Sequence, residues 1–322
     1  MLRSKLCELI GGWPEKTGDA GASVRRCASL HRAEVSAANA DVRKPETSHT
    51  ASVVEWLEIH TTRPSPLIGL SQLPAVLVRP DGEGPFPAVV YCHAHGGRYD
   101  IGKKELLEGR EALPCGNYAS ALVNNGIAAI CIDLPCFGER VHDIEQALCK
   151  RLHWHGDTLF GVMLRELAVC VDYLQSRDDI DTTRIGAMGM SMGSTLSWWL
   201  AALDERVKLV AELCCLSDLH TLVREGGYIR HGPYMTVPGL LNETTTGEIN
   251  ALIAPRAHFC AVGLQDVFTP ERAFNVVDEY LKECYAHYGQ PEHWQTVVSP
   301  HTAHEETQAM RSALLRFLRD RL

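Results

Sequence analysis

The sequence predicts an α/β fold with a mainly parallel, twisted sheet of about eight strands and helices on both of its faces. From Val53 onward, short segments rich in β-branched residues alternate with helix-length segments. Strands buried on both faces appear as continuous apolar runs, and an intervening helix returns the chain to a parallel neighbour. The first two predicted strands are expected to form an antiparallel edge. The predicted strands cover residues 53–62, 74–80, 87–93, 128–134, 184–189, 207–215, 257–263 and 294–300.

The same pattern divides the chain into two parts. Residues 1–50 are rich in Ala, Ser, Arg and Glu with weak periodicity, which predicts a helical extension followed by a loosely held linker. Residues 51–322 form the predicted α/β domain. Within it, residues 216–255 show no alternation of strand and helix. An irregular segment of that length in a compact domain is usually a lid or a binding excursion, so we expect a small lid insertion there.

Composition excludes several classes of partner. The 322 residues carry a net charge of -9 with scattered Lys and Arg, so neither nucleic acid nor an anionic membrane is an expected partner. No apolar run approaches the roughly 18 residues that span a bilayer. Most of the 12 cysteines lie in apolar segments without C-x-x-C pairs, which is typical of reduced thiols in a cytoplasmic protein. The oligomeric state is left open, a homo-oligomer included.

The segment Gly189-Met190-Ser191-Met192-Gly193 is the strongest functional motif. It matches G-x-S-x-G between a predicted strand and a predicted helix, which is the context of a nucleophile elbow. A tight strand-to-helix turn requires small flanking residues and projects the serine Oγ above the sheet, while the Met192 N–H begins the helix and can donate to an oxyanion. The alternative is a glycine turn in which Ser191 only caps the helix.

A nucleophilic serine needs a base and a carboxylate that orients the base. Asp266 follows the predicted strand at 257–263 and precedes a predicted helix, which favours it as the acid, and Asp218, after the strand at 207–215, is the alternative. His301 and His304 both follow the last predicted strand, and either could reach Ser191. Thr302 and Glu305 also match a capping box, so this segment also begins a helix.

The second oxyanion donor is expected in the loop after the strand at 87–93. His93-Ala94-His95-Gly96-Gly97 stands there, and by position the His95 N–H is the predicted donor. The spacing of His93 and His95 also suits metal ligands, as does that of His153 and His155, but no third ligand accompanies either pair, so no metal is expected.

These motifs, in this order, resemble the serine hydrolases of the α/β-hydrolase superfamily over residues 53–322. Within that superfamily the resemblance is nearest to the dienelactone hydrolase and acetyl xylan esterase group. Four segments of this chain carry the resemblance. PAVVYCHAHGG resembles the third strand and oxyanion loop of the group, IDLPCFGER its fourth strand, DTTRIGAMGMSMGS its elbow and IAPRAHFCAVGLQD its acid loop. The resemblance implies Ser191 as nucleophile, Asp266 as acid and His304 as base, with the His95 and Met192 amides as oxyanion hole.

The sequence departs from the pattern of this group at three places. Dienelactone hydrolases use a cysteine nucleophile where this chain has Ser191, so a lactone substrate is not implied. Ala303 precedes the histidine and Ser194 follows the elbow where the group has glycine. The extension at residues 1–50 has no counterpart in the smaller members.

The predicted function is therefore hydrolysis of carboxylic esters of small molecules through an acyl-enzyme, without a cofactor. His93, Tyr228, His231 and Tyr234 are the predicted lining of the substrate pocket. One alternative is a serine peptidase related to the prolyl oligopeptidase catalytic domain, although about 50 N-terminal residues cannot build the propeller common in those enzymes. The other is a non-catalytic binding protein on the same fold.

Overall fold

A computed structural model describes residues 1–13, 51–61, 68, 72–141 and 144–322, together with the backbone of residues 23–31. The strands are β1 (Ser23–His31), β2 (Ser52–His60), β3 (Gln72–Pro80), β4 (Phe86–Cys92), β5 (Ala128–Ile132), β6 (Ile180–Met190), β7 (Leu209–Leu213), β8 (Ala257–Gly263) and β9 (Trp294–Ser299). The α-helices are α1 (Leu2–Leu9), α2 (Lys104–Glu108), α3 (Tyr118–Val123), α4 (Glu145–Trp154), α5 (Leu159–Gln175), α6 (Met192–Leu203), α7 (Leu219–Glu225), α8 (Thr246–Ala251), α9 (Glu271–His287) and α10 (Gln308–Arg321).

The described strands form one nine-stranded sheet in the order β1-β2-β3-β5-β4-β6-β7-β8-β9. The pairs from β1 through β3 to β5 are antiparallel, and all pairs from β5 to β9 are parallel. The mainly parallel sheet predicted from the alternation is confirmed. Because all strands of the parallel portion run in one direction, the loops that follow them meet at a single edge of the sheet.

The N-terminal segment differs from its prediction in one respect. Helix α1 lies in the part expected to be helical, but Ser23–His31 forms the edge strand β1, which pairs with β2. The prediction of helix was wrong for these residues. An edge strand takes its hydrogen bonds from a distant partner, so its composition need not carry a periodic signal.

The core consists of two apolar layers, one on each face of the sheet. Along β4, Ala88 and Val90 belong to the layer that contains residues of α5 and α6, whereas Val89 and Tyr91 belong to the layer with α3 and α10. Both faces of this strand are buried, which explains its continuous apolar sequence. Among the described residues, no helix is both long and apolar enough to cross a membrane.

Residues 216–255 form a series of short helices. Helices α7 and α8 flank three 3₁₀ turns, Gly227–Arg230, Pro233–Met235 and Leu240–Asn242. Helix α8 begins with a capping box: the Thr245 hydroxyl accepts the Glu248 N–H, and the Glu248 carboxylate accepts the Thr245 N–H. Such side-chain caps hold short helices that are too short to be stable alone.

Candidate active site

The elbow serine has a strained backbone. Ser191 joins β6 directly to α6 with φ 58° and ψ -119°, a region that non-glycine residues rarely occupy. Its N–H donates to the Leu213 carbonyl (2.9 Å), which ties the turn to β7. Although Ser191 stands at the N-cap position, its side chain makes no capping hydrogen bond with α6. This observation argues against the interpretation of Ser191 as a helix cap.

The two flanking glycines are required by close backbone contacts. A Cβ at Gly189 would lie 2.4 Å from the Cys92 carbonyl oxygen, and a Cβ at Gly193 would lie 1.9 Å from the same atom. Any side chain at either position would push the start of α6 away from β4. The G-x-S-x-G spacing therefore follows from the packing of α6 over the sheet.

Asp266 and His304 are in direct contact. His304 Nδ1 lies 2.7 Å from Asp266 Oδ2, and Asp266 Oδ1 accepts the Phe268 N–H at 2.8 Å. The Asp266 side chain is fully buried, whereas the His304 side chain is 21% exposed. The Phe268 ring packs against the His304 ring, with 4.8 Å between centroids. A buried carboxylate held in this way fixes the orientation and the tautomer of a histidine that remains accessible.

The competing acid and base lie elsewhere. The Asp218 carboxylate caps α7, since its Oδ2 accepts the Thr221 N–H and hydroxyl, both at 2.8 Å. His301 is exposed, and its side chain has no hydrogen bond within the described part of the chain. The structure thus brings Asp266 together with His304 and leaves Asp218 and His301 out of this contact.

Cys214 connects the elbow to this pair and was not predicted as a site residue. It follows Leu213, which accepts the Ser191 N–H, and it has a positive φ of 50°. Ligand atoms of Cys214, Asp266 and His304 lie within 4.8 Å of one another. In the described part of the chain, these three residues are the one group with a spacing that could hold a metal ion. His93, His95, His153 and His155, whose H-x-H spacing was weighed against a metal site and rejected, are not part of this group.

The loop with the predicted oxyanion donor is stabilised by hydrogen bonds of the His95 side chain. Gly97 N–H donates to His95 Nδ1 (3.0 Å), so the proton of the neutral ring is on Nε2, which lies 3.0 Å from Glu145 Oε2. The Tyr99 hydroxyl donates to the same Glu145 oxygen at 2.8 Å. These bonds fix the loop that carries the His95 amide. Met192 is the first residue of α6, where a main-chain N–H has no partner inside the helix.

The predicted pocket residues have different environments. Tyr234 is buried and stacks on the His95 ring, with 5.7 Å between centroids. Tyr228 is 53% exposed. His231 is partly buried and packs edge-on against the Phe268 ring. Tyr234 and His231 thus lie beside the loops that carry His95 and Asp266.

His93 was predicted wrongly as a pocket residue. Its side chain is fully buried, Nδ1 donates to the Ala94 carbonyl (3.1 Å), and Nε2 accepts the Leu134 N–H (3.3 Å). Burial lowers the pKa of His93 from 6.5 to about 4. With both ring nitrogens bonded to main-chain groups, this histidine holds two loops together and cannot face a substrate.

Another carboxylate–histidine pair lies within the sheet and was not predicted. Glu212 on β7 is 2.6 Å from His258 Nε2 on β8, and the Ser194 hydroxyl of α6 donates to Glu212 at 3.0 Å. All three side chains are buried. Burial raises the pKa of Glu212, and the hydrogen bond from His258 opposes that shift. The serine that replaces glycine after the elbow is therefore anchored to the sheet.

Comparisons with known proteins agree with this fold. A model of the Dienelactone hydrolase family matches residues 73–213. The chain is 37% identical over 278 residues to "Putative hydrolase YtaP" of Bacillus subtilis (strain 168), covering 86% of this chain and 93% of that protein. Two solved structures share the fold. Methylesterase BT1017 has a TM-score of 0.64 at 20% identity, with 99% of this chain and 60% of that one covered. Acetyl Xylan Esterase 1 from Thermoanaerobacterium sp. has 0.57 at 16% identity, with 94% and 88% covered.

Together, the sheet topology, the elbow and these similarities define an ester-bond hydrolase with the α/β-hydrolase fold. The chain belongs to the dienelactone hydrolase family.

Proposed function

We propose that the protein hydrolyses carboxylic esters of small molecules through an acyl-enzyme on Ser191. The observation that carries the proposal is the strained Ser191 at the strand-to-helix junction, at the same sheet edge as the Asp266–His304 contact. A serine in this setting is a nucleophile when a base removes its proton and a carboxylate orients the base.

The proposed reaction has two stages. His304 accepts the proton of the Ser191 hydroxyl as Oγ attacks the ester carbonyl, and the Asp266 carboxylate stabilises the resulting imidazolium. The His95 and Met192 N–H groups donate to the oxyanion. When the intermediate collapses, the C–O bond to the alcohol breaks and His304 protonates the leaving alcohol. Water, deprotonated by His304, then releases the acid and restores the serine hydroxyl.

The environment of Cys214 supports serine rather than cysteine as the nucleophile. Burial raises the pKa of the Cys214 thiol far above its ordinary value. A buried thiol in this state supplies almost no thiolate, which is the reactive form. No residue of the proposed mechanism requires a metal or an organic cofactor.

A fluorophosphonate probe tests the proposal. We expect it to label the wild-type chain and to leave Ser191→Ala unlabelled, because it reacts with a serine activated by a base. Ser194→Ala is the matched control and keeps its labelling, since Ser194 is buried against Glu212. An unlabelled wild type, or labelling that persists in Ser191→Ala, contradicts the proposal.

The substrate and cell compartment are also proposals. Cleavage of p-nitrophenyl acetate without cleavage of the corresponding acetanilide would favour the esterase over a peptidase, and no turnover of either would favour a binding protein. We further infer a cytoplasmic location, which is supported by buried cysteines that form no disulfide, among them Cys92, Cys131 and Cys260.

A further inference from the structure

A small cavity lies beside the elbow, between α6 and residues 216–255. Thr195, one helical turn beyond Ser191, is part of its wall, and the Thr195 hydroxyl lies 3.5 Å from the Ser191 carbonyl oxygen. Cys215, two residues beyond the end of β7, also lines the cavity, and most of the remaining wall is apolar. The free space is about 10 Å³, which is room for one water-sized group.

Two side chains in the wall of this cavity have buried nitrogens without a partner. Trp198 Nε1 and His231 Nε2 are both inaccessible to solvent, and neither has a hydrogen bond within the described part of the chain. Buried polar groups are nearly always bonded, and an unbonded one costs stability. Because both side chains line the same cavity, their unpaired nitrogens point to a polar group that would occupy it.

The two nitrogens have opposite hydrogen-bonding roles. An indole Nε1–H can only donate. The main chain of Phe268 raises the pKa of His231, which is the effect of a carbonyl beside a ring N–H, and because Nε2 has no partner, we place that proton on Nδ1. Burial lowers the pKa of His231, which favours the neutral ring. Nε2 of that ring is then an acceptor.

We propose that this cavity is a subsite for a hydroxyl group of the ester substrate, which accepts from Trp198 Nε1 and donates to His231 Nε2. The inference rests on the proposed esterase function and narrows its substrate class to hydroxylated esters. A hydroxyl is the smallest group that both donates and accepts. A carbonyl or ether oxygen cannot donate to Nε2, and a carboxylate would place an uncompensated charge among apolar walls.

The hydroxyl can belong to the acyl group or to the alcohol, and two matched pairs of esters distinguish these sources. The first pair is p-nitrophenyl glycolate and p-nitrophenyl acetate. The second pair is 2-hydroxyethyl acetate and propyl acetate. We expect kcat/KM to favour the hydroxylated member about tenfold in one of the pairs, since a hydrogen bond to a polar group that is otherwise unpaired is worth about that ratio.

Substitutions of the two nitrogens test their roles. Trp198→Phe and His231→Phe each keep an aromatic ring and remove one polar atom, so we expect the preference to fall to within twofold of unity. Trp154→Phe and His155→Phe are the matched controls, because both side chains are exposed on the surface. These controls keep the wild-type preference. Thermal unfolding checks that each variant is folded, and the wild-type ratio alone tests the subsite without any variant.

The outcomes separate the subsite from the reaction. A wild-type ratio near unity in both pairs means that the cavity holds a structural water only, and it overturns the subsite while the esterase function stands. A preference that survives both substitutions also overturns it. Failure of fluorophosphonate labelling together with no turnover of any of the four esters contradicts the proposed function, and the subsite fails with it.

Discussion

Two of the carboxylate–histidine pairs in the described part of the chain have nearly the same separation. Asp266 and His304 are 2.7 Å apart, and Glu212 and His258 are 2.6 Å apart. The first pair stands on loops that follow β8 and β9, and its histidine is 21% exposed. The second pair stands within β7 and β8, and both of its side chains are fully buried.

The difference shows that the location of such a pair in the fold decides whether its histidine is accessible to a substrate. His304 uses Nδ1 for Asp266, so we expect its other nitrogen to exchange a proton with a group at the sheet edge. His258 Nδ1 is buried without a partner in the described part of the chain, so it has no route to a substrate. The first pair is suited to proton transfer, and the second holds strands and the start of α6 together.

Removal of the exposed histidine tests this contrast most strongly. We expect His304→Ala to lower kcat for p-nitrophenyl acetate by about 10⁵-fold, because the base is lost. His301→Ala is the matched control and should remain within about threefold of wild type, since an exposed surface substitution has little effect. Loss of activity in His301→Ala with normal activity in His304→Ala would reverse the assignment.

Substitution of the carboxylate should have the next largest effect. Asp266→Asn is expected to lower kcat by about 10⁴-fold with little change in folding, because the amide favours the wrong tautomer of His304. Asp218→Asn should leave kcat unchanged, as asparagine caps a helix as well as aspartate does. Equal losses in the two variants would mean that Asp266 has no special relation to the base.

The buried pair should instead affect stability. Glu212→Ala leaves His258 and Ser194 without their shared partner, so we expect the free energy of unfolding in urea to fall by about 3–5 kcal/mol. Asp100→Ala, which breaks an exposed ion pair with Arg98, should leave the urea midpoint unchanged. If Glu212→Ala lost activity at full stability, this pair would take part in the reaction and the contrast would be broken.

The smallest expected effect is a pH dependence of the free energy of unfolding that originates from the buried His93. The pKa of His93 is lowered from 6.5 to about 4, so the unfolded chain binds a proton before the folded chain does. Stability is fully present above pH 6.5 and is lost as the pH falls towards 4, by about 3 kcal/mol in total. Urea unfolding between pH 7 and 4 should show that His93→Gln loses less stability than the wild type as the pH falls. Parallel pH profiles for the two proteins would contradict this origin.

The sequence predicted the features that local chemistry dictates. The alternation of apolar runs and helical segments predicted the parallel sheet. The G-x-S-x-G motif predicted a tight turn, and a Cβ at either of its glycines would clash with the main chain. It predicted no strand at Ser23–His31, because an edge strand depends on a partner remote in the chain. It also placed His93 in the pocket, since the pattern H-x-H cannot reveal that main-chain groups bond both nitrogens.

By itself, then, the sequence determined the α/β architecture, the elbow and a short set of acids and bases. The tertiary structure decided that Asp266 rather than Asp218 meets His304 rather than His301. It also decided that Cys214 lies between the elbow and this pair, and that Glu212 meets His258. The physical reason is that these contacts join loops and strands whose separation is fixed by the pairing of β7, β8 and β9, and spacing along the chain does not record that pairing.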